Sequence, residues 1–179
     1  MSSEIRLIAL TCPRCGTPVP AQVDEVAWVC AQCGQGMLLS DEQGTRPLDV
    51  FFSAGIAPNA KGAPFWVARG AVRVLSRQTY KGNSSKEMSD FWSVPRLFYV
   101  PAYRLPVEEV VAVGIKLLRQ PVRIEPGSPA AFHPVVVDPG DVHAIAEFIV
   151  MSVEAERKDA LKELKVEIKL DPPQLWILG

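Results

Sequence analysis

Three textures of hydrophobic and polar positions succeed one another along the chain. Up to residue 45, short apolar runs are cut by turn-forming residues. The runs at 5–11, 25–29 and 36–40 have strand length and predict three short strands. After residue 40 the text turns rich in Gly, Pro and Ala and predicts an irregular covering segment with one short strand at 48–53. From residue 64 the pattern becomes dense. Residues 64–80 and 90–106 are crowded with β-branched and aromatic side chains and predict two β-rich stretches, with Gly82, Asn83, Ser84 and Ser85 in the connection. If residues 65–79 form one strand, its period of two puts Arg69, Arg73 and Arg77 on one face with Val67, Ala71 and Leu75. Trp66, Val72 and Val74 then take the other face.

Helical spacing follows. Pro106 suits a first helical position, Glu108 and Glu109 suit a positive N-terminus, and Val110, Val113, Leu117 and Leu118 recur on one stripe. Residues 132–137 predict a strand. Asp138 as N-cap and Pro139 as first residue predict a second helix running to about residue 164, apolar on nearly every face over 142–153. Strands at 166–170 and 175–178, around a turn at 171–173, complete the pattern. The order β, β, α, β, α, β, β predicts an α+β domain over 64–179, a mixed or antiparallel sheet with two helices. A small module (1–45) and a linker or covering segment (46–63) precede it.

Composition bounds the function. With 48 % hydrophobic and 22 % charged residues, the 179-residue chain is expected to fold. Sixteen prolines favour short elements over a helical bundle. The net charge of −1 excludes a polybasic binder as a whole, yet it conceals −3 over residues 1–45, +6 over 46–105 and −4 over 106–179. The apolar stretch at 5–10 is interrupted by Arg6 and is too short for a signal-peptide core. The run at 142–153 contains His143, Glu147 and Ser152 and reads as a buried helix rather than a membrane span. The expectation is a cytoplasmic protein whose thiols stay reduced.

Four cysteines then carry most of the chemistry. Cys12 and Cys15 stand in TCPRCG, Cys30 and Cys33 in VCAQCG. A two-residue spacer permits a tight turn with backbone amides aimed at the first sulfur. The following Gly16 or Gly34 can take a positive φ and lead the chain away. Two such knuckles bring four thiolates to one ion at bonds of about 2.3 Å. A dithiol redox pair and a rubredoxin-like iron centre compete with this reading, but a redox motif needs one CxxC at a helix start rather than two matched knuckles.

Over residues 4–40 this arrangement resembles the zinc-ribbon family. The resemblance implies one structural Zn2+ per chain held by Cys12, Cys15, Cys30 and Cys33, with all ligand positions filled by protein. Many zinc ribbons bind nucleic acid, but only Arg14 stands at a knuckle here and the module is acidic. That favours protein contact or a structural role.

The basic middle third offers a candidate face for an anionic partner: Arg69, Arg73, Arg77, Arg96 and Arg104, with Tyr99 and Tyr103 nearby. It fits an acidic protein surface, single-stranded nucleic acid by stacking and phosphate contacts, or plain neutralisation of the chain's own acidic helices. His133 and His143, with Asp138 and Asp141 between them, could be imagined as a second metal site. Helix-start roles account for both aspartates, and His143 and Glu147 are spaced to pair. Glu147, inside an apolar run, is expected to be partly buried with an arginine partner. Trp28, Trp66, Trp92 and Trp176 read as core or interface anchors. The sequence lacks P-loop, nucleophile-elbow, dinucleotide and H-E-x-x-H motifs. The expectation is a non-enzymatic protein-interaction or assembly factor, a subunit or accessory protein of a larger complex. The alternative is a nucleic-acid-binding protein using the basic aromatic strand face.

Overall fold

A computed structural model describes residues 7–179. Three short strands, β1 (Ala27–Val29), β2 (Gly36–Ser40) and β3 (Gly44–Pro47), form an antiparallel sheet in sequence order. Trp28 pairs with Met37 and Leu39 with Thr45. The first expected strand lies partly outside the described residues; from Leu7 to Leu10 the backbone is irregular, and Thr11 makes a single bridge to Pro18.

The larger sheet is built on β5 (Ala63–Lys81), a nineteen-residue strand. Along one edge, β6 (Arg96–Pro101) pairs antiparallel with Phe65 to Gly70. Along the other edge lie β8 (Gln174–Leu178), against Ala63 to Val67, and β7 (Ala160–Leu170), against Gly70 to Lys81. Gly70 pairs with Arg96 on one side and Leu170 on the other, so β7 and β8 share an edge and run in line. Residues 171–173 therefore make no reversal. They are an interruption in one long pairing, closed by the Asp171 N–H donating to the Arg69 carbonyl at 2.8 Å. β4 (Val50–Phe52) adds in parallel to β8, which makes the sheet mixed. The class is α+β. The segment 46–63 contributes to both sheets, through the end of β3 and through β4.

Three helices rather than two accompany the sheet: α1 (Ser85–Trp92), α2 (Val107–Arg119) and α3 (Val142–Ala155). Helix α1 occupies part of the second expected β-stretch. Acidic residues open α2 and Lys116 and Arg119 end it, as its dipole favours. A 3-10 turn, Pro139–Asp141, leads into α3, and the Asp138 carboxylate accepts from the Gly140 N–H at 2.7 Å. Helix α3 stops at Ala155, nine residues before its expected end, because the following residues reverse into β7. The expected strand at 132–137 is reduced to single bridges at Phe132 and Val135.

One face of the sheet carries Trp66, Val72, Phe98, Val100, Ile168, Leu175 and Ile177, packed on Val142, Ala146, Ile149, Val150 and Val153 of α3 and on Ile115 and Leu118 of α2. Trp66 is fully buried and donates its indole N–H to the Val137 carbonyl at 2.7 Å. The three-stranded module docks on this core. Ala27 and Leu38 join it, and the Val26 N–H donates to the Val135 carbonyl at 2.8 Å. On the opposite face, Phe65, Val67 and Tyr99 are covered by α2 and neighbouring side chains, whereas positions from Arg69 onward are bare.

Candidate metal centre

The two knuckles have the same backbone. The Cys12 N–H donates to the Thr17 carbonyl at 2.8 Å, and the Gly16 N–H donates to the Cys12 carbonyl at 2.9 Å. In the second knuckle, Cys30 N–H reaches Gln35 at 2.9 Å and Gly34 N–H reaches Cys30 at 2.8 Å. Gly16 and Gly34 take φ of 74° and 73°, a conformation that a Cβ disfavours. The sulfurs interleave. Cys12 lies 3.6 Å from Cys33, and Cys15 lies 3.6 Å from Cys30. All four ligand atoms fall within 4.8 Å of one another. Four sulfurs at about 2.3 Å from one tetrahedral ion stand roughly 3.8 Å apart, so the cluster is close to the size such an ion requires.

The site sits on a small apolar core. Cys12 and Cys30 are buried with Trp28 and Met37, and Leu10, Val19 and Leu39 pack around them. Trp28 donates its indole N–H to Glu25 at 2.9 Å, and the same carboxylate oxygen accepts the Gln22 N–H at 2.8 Å. Thr17 bonds the exposed Cys15 sulfur through its side chain at 3.2 Å and through its backbone, lowering that thiol to about 6. At Cys33 the Gln35 backbone bond acts in the same direction. Desolvation and the neighbouring sulfurs outweigh it and push this thiol up to about 12. Four converging thiols cannot all ionise together without a cation to hold them.

The basic candidates do not assemble into one face. Arg69 and Arg73 are exposed on the bare side of β5. Arg77 is not with them. Val74 pairs with Val166 and Ser76 with Lys165, leaving Leu75 as an extra residue. This β-bulge inverts the alternation, so Arg77 turns to the helix-covered side. Its side chain is 4 % exposed there and is paired with Glu154 and Asp159. Arg96 donates twice to the Phe91 carbonyl, at 3.0 and 2.7 Å, and stacks on the Phe91 ring. Arg104 pairs with Asp24 of the cysteine module. Tyr99 is fully buried, and Tyr103 packs between Phe65 and His133.

His143 stands 3.6 Å from Glu147 on the surface, and both side chains are about half exposed. Glu147 is therefore not the buried glutamate that its apolar neighbours predict. That residue is Glu154, two turns further on and fully buried. It accepts from the Trp92 indole at 2.8 Å, from Arg77 at 3.2 Å and from Arg157 at 2.8 Å. Asp159 accepts two bonds from Arg77 and one, at 2.9 Å, from the Ser84 N–H. Sequence reasoning missed this network, although the charge-rich text after residue 153 held all its acids.

No helix among the described residues is long and apolar enough to cross a membrane. Together, fold and site define an α+β protein with a four-cysteine cluster positioned to bind a metal ion. A scan against protein-family models, a search of curated proteins and a search of solved structures each gave no match.

Proposed function

We propose that this is a non-catalytic, cytoplasmic protein-interaction or assembly factor, a subunit or accessory protein whose N-terminal ribbon is held by one structural zinc ion. The tetrathiolate cluster supports zinc as the ion and a structural role for it, since Cys12, Cys15, Cys30 and Cys33 fill every ligand position and leave none for a substrate.

The observation that carries the interaction reading is the apolar groove between α2 and α3. Its volume is about 410 Å³, and Val107, Val110, Val111, Ile145 and Phe148 line it. Phe148 is 62 % exposed, with Val107 and Met151 also open beside it. Large apolar side chains gathered on one helix pair are a recurrent mark of contact surfaces. Cross-linking and co-purification from native extract test the proposal. A defined partner should be captured by the wild-type protein and lost with Phe148→Glu. A compact monomer by light scattering, with no partner retained, would overturn it.

A further inference from the structure

Beyond Phe65 and Val67, the side of the large sheet that faces away from α3 is left without a cover. The register places Leu97 of β6 opposite Arg69, Lys169 opposite Ala71, Glu167 opposite Arg73, and Lys165 beside the Leu75–Ser76 bulge. All of these side chains but Ser76 are exposed, including Leu75 at 57 % and Leu97 at 41 %. The patch thus holds four cations, two bare leucines and two carboxylates, Glu167 within it and Glu163 at its edge. Among the described residues Arg69, Arg73 and Lys169 form no ion pair, and Lys165 meets only the exposed Glu163 at 3.4 Å.

From this arrangement we infer that the face around Arg69, Arg73, Lys165 and Lys169 docks an acidic, leucine-containing extended segment of a partner protein. Arg69 and Arg73 are four strand residues apart, about 13 Å, which is the spacing of carboxylates four residues apart on an extended chain. Charge selects an anionic ligand. What stands between the cations selects its class. Single-stranded nucleic acid binding draws on aromatic rings to stack on, and here the intervening side chains are aliphatic while Tyr99, on the same face, is buried under α2 and its neighbours. Leu75 and Leu97 suit aliphatic side chains alternating with the acids. The inference rests on the interaction reading above. The two are separable because this patch and the α2–α3 groove lie on opposite sides of the sheet.

The test uses the full zinc-loaded chain and a labelled peptide alternating Glu and Leu, with a labelled oligothymidine as the competing anion. Fluorescence anisotropy should show saturable peptide binding that weakens with salt. Binding should fall by about tenfold or more in Arg69→Glu/Arg73→Glu and, independently, in Lys165→Glu/Lys169→Glu. A control of equal charge change away from the patch, Lys86→Glu/Lys116→Glu, should keep wild-type affinity. Three results overturn the inference: no peptide binding, equal loss in the control, or tighter binding of oligothymidine to the same residues. Loss of partner capture in Phe148→Glu alone leaves this result untouched.

Discussion

Arg77 and Asp159, eighty-two residues apart in sequence, meet through two parallel hydrogen bonds of 2.5 and 2.6 Å with both side chains almost wholly buried. The pair ties the far end of β5 to the turn between α3 and β7. Removing the cation leaves buried Asp159 without a charge partner, while Glu154 keeps Arg157 and the Trp92 indole. Arg77→Leu should cost about 3–5 kcal/mol in urea unfolding, the usual penalty for leaving buried charge uncompensated. Trp92→Phe removes the indole hydrogen bond to Glu154 together with part of a buried ring and should cost about 1–3 kcal/mol.

The same pair sets a pH dependence. Hydrogen bonding to Arg77 and the Ser84 N–H outweighs burial and holds the Asp159 carboxyl at about 2, below the ordinary 3.8. A folded-state value below the unfolded one means that ionised Asp159 stabilises the fold above about pH 4. That contribution is lost as pH falls from about 4 through 2. Asp159→Asn should be less stable than wild type at neutral pH, and urea midpoints should show the gap closing over that acid range.

The bulge makes a sharper prediction. Deleting Leu75 removes only the extra residue: Ser76 stays opposite Lys165 and Arg77 opposite Leu164, so Arg77 keeps facing Glu154 and Asp159. The deletion should destabilise less than Arg77→Leu. Adding Arg77→Leu to it should cost nearly its full amount again, because the arginine still holds its partners. Denaturation of the two single changes and their combination checks this additivity.

Elemental analysis should give about one zinc per chain. Because Ala27 and Leu38 of the cysteine module belong to the main core, chelation or Cys12→Ser should do more than loosen the N-terminal module. It should lower the melting temperature of the whole chain in a single shared transition. Two separate transitions, with the second unmoved by chelator, would contradict this.

Gly36 admits no side chain. A Cβ there would run into the Leu48 carbonyl and the Val50 side chain, and the Gly36 carbonyl itself accepts the Leu48 N–H at 2.9 Å. Gly36→Ala should cost about 1–3 kcal/mol, read from denaturant midpoints.

The cysteine knuckles, β2, β5 and α2 were legible because their signals are local: ligand spacing, an apolar run, an N-terminal acidic pair. The missing parts depend on distant partners. Residues 156–165, rich in Glu, Lys and Leu, favour a helix by propensity. The chain turns there because Asp159 is held by Arg77 and Ser84, and its continuation gains a ladder along β5. Helix α1 was hidden by Phe91 and Trp92, which read as strand residues until Trp92 is seen to bond Glu154. The bulge at Leu75 leaves no trace in a period-two pattern. One unpaired residue thus moved Arg77 from a supposed binding face into the interior.

The length of β5 also dictates an order of events during synthesis. Apart from β6, which pairs with the first half of β5, the large sheet depends on pairings with residues 160–178: β4 finds its partner only in β8, and the distal half of β5 finds its partner only in β7. A nascent chain can close its cysteine knuckles once residue 33 has left the ribosome, but more than a hundred further residues must follow before β5 is clasped on its second edge. Until then the strand's unpaired edge and apolar face await cover, an interval in which aggregation competes with folding. A cysteine module that closes early shortens the part of the chain exposed to that risk.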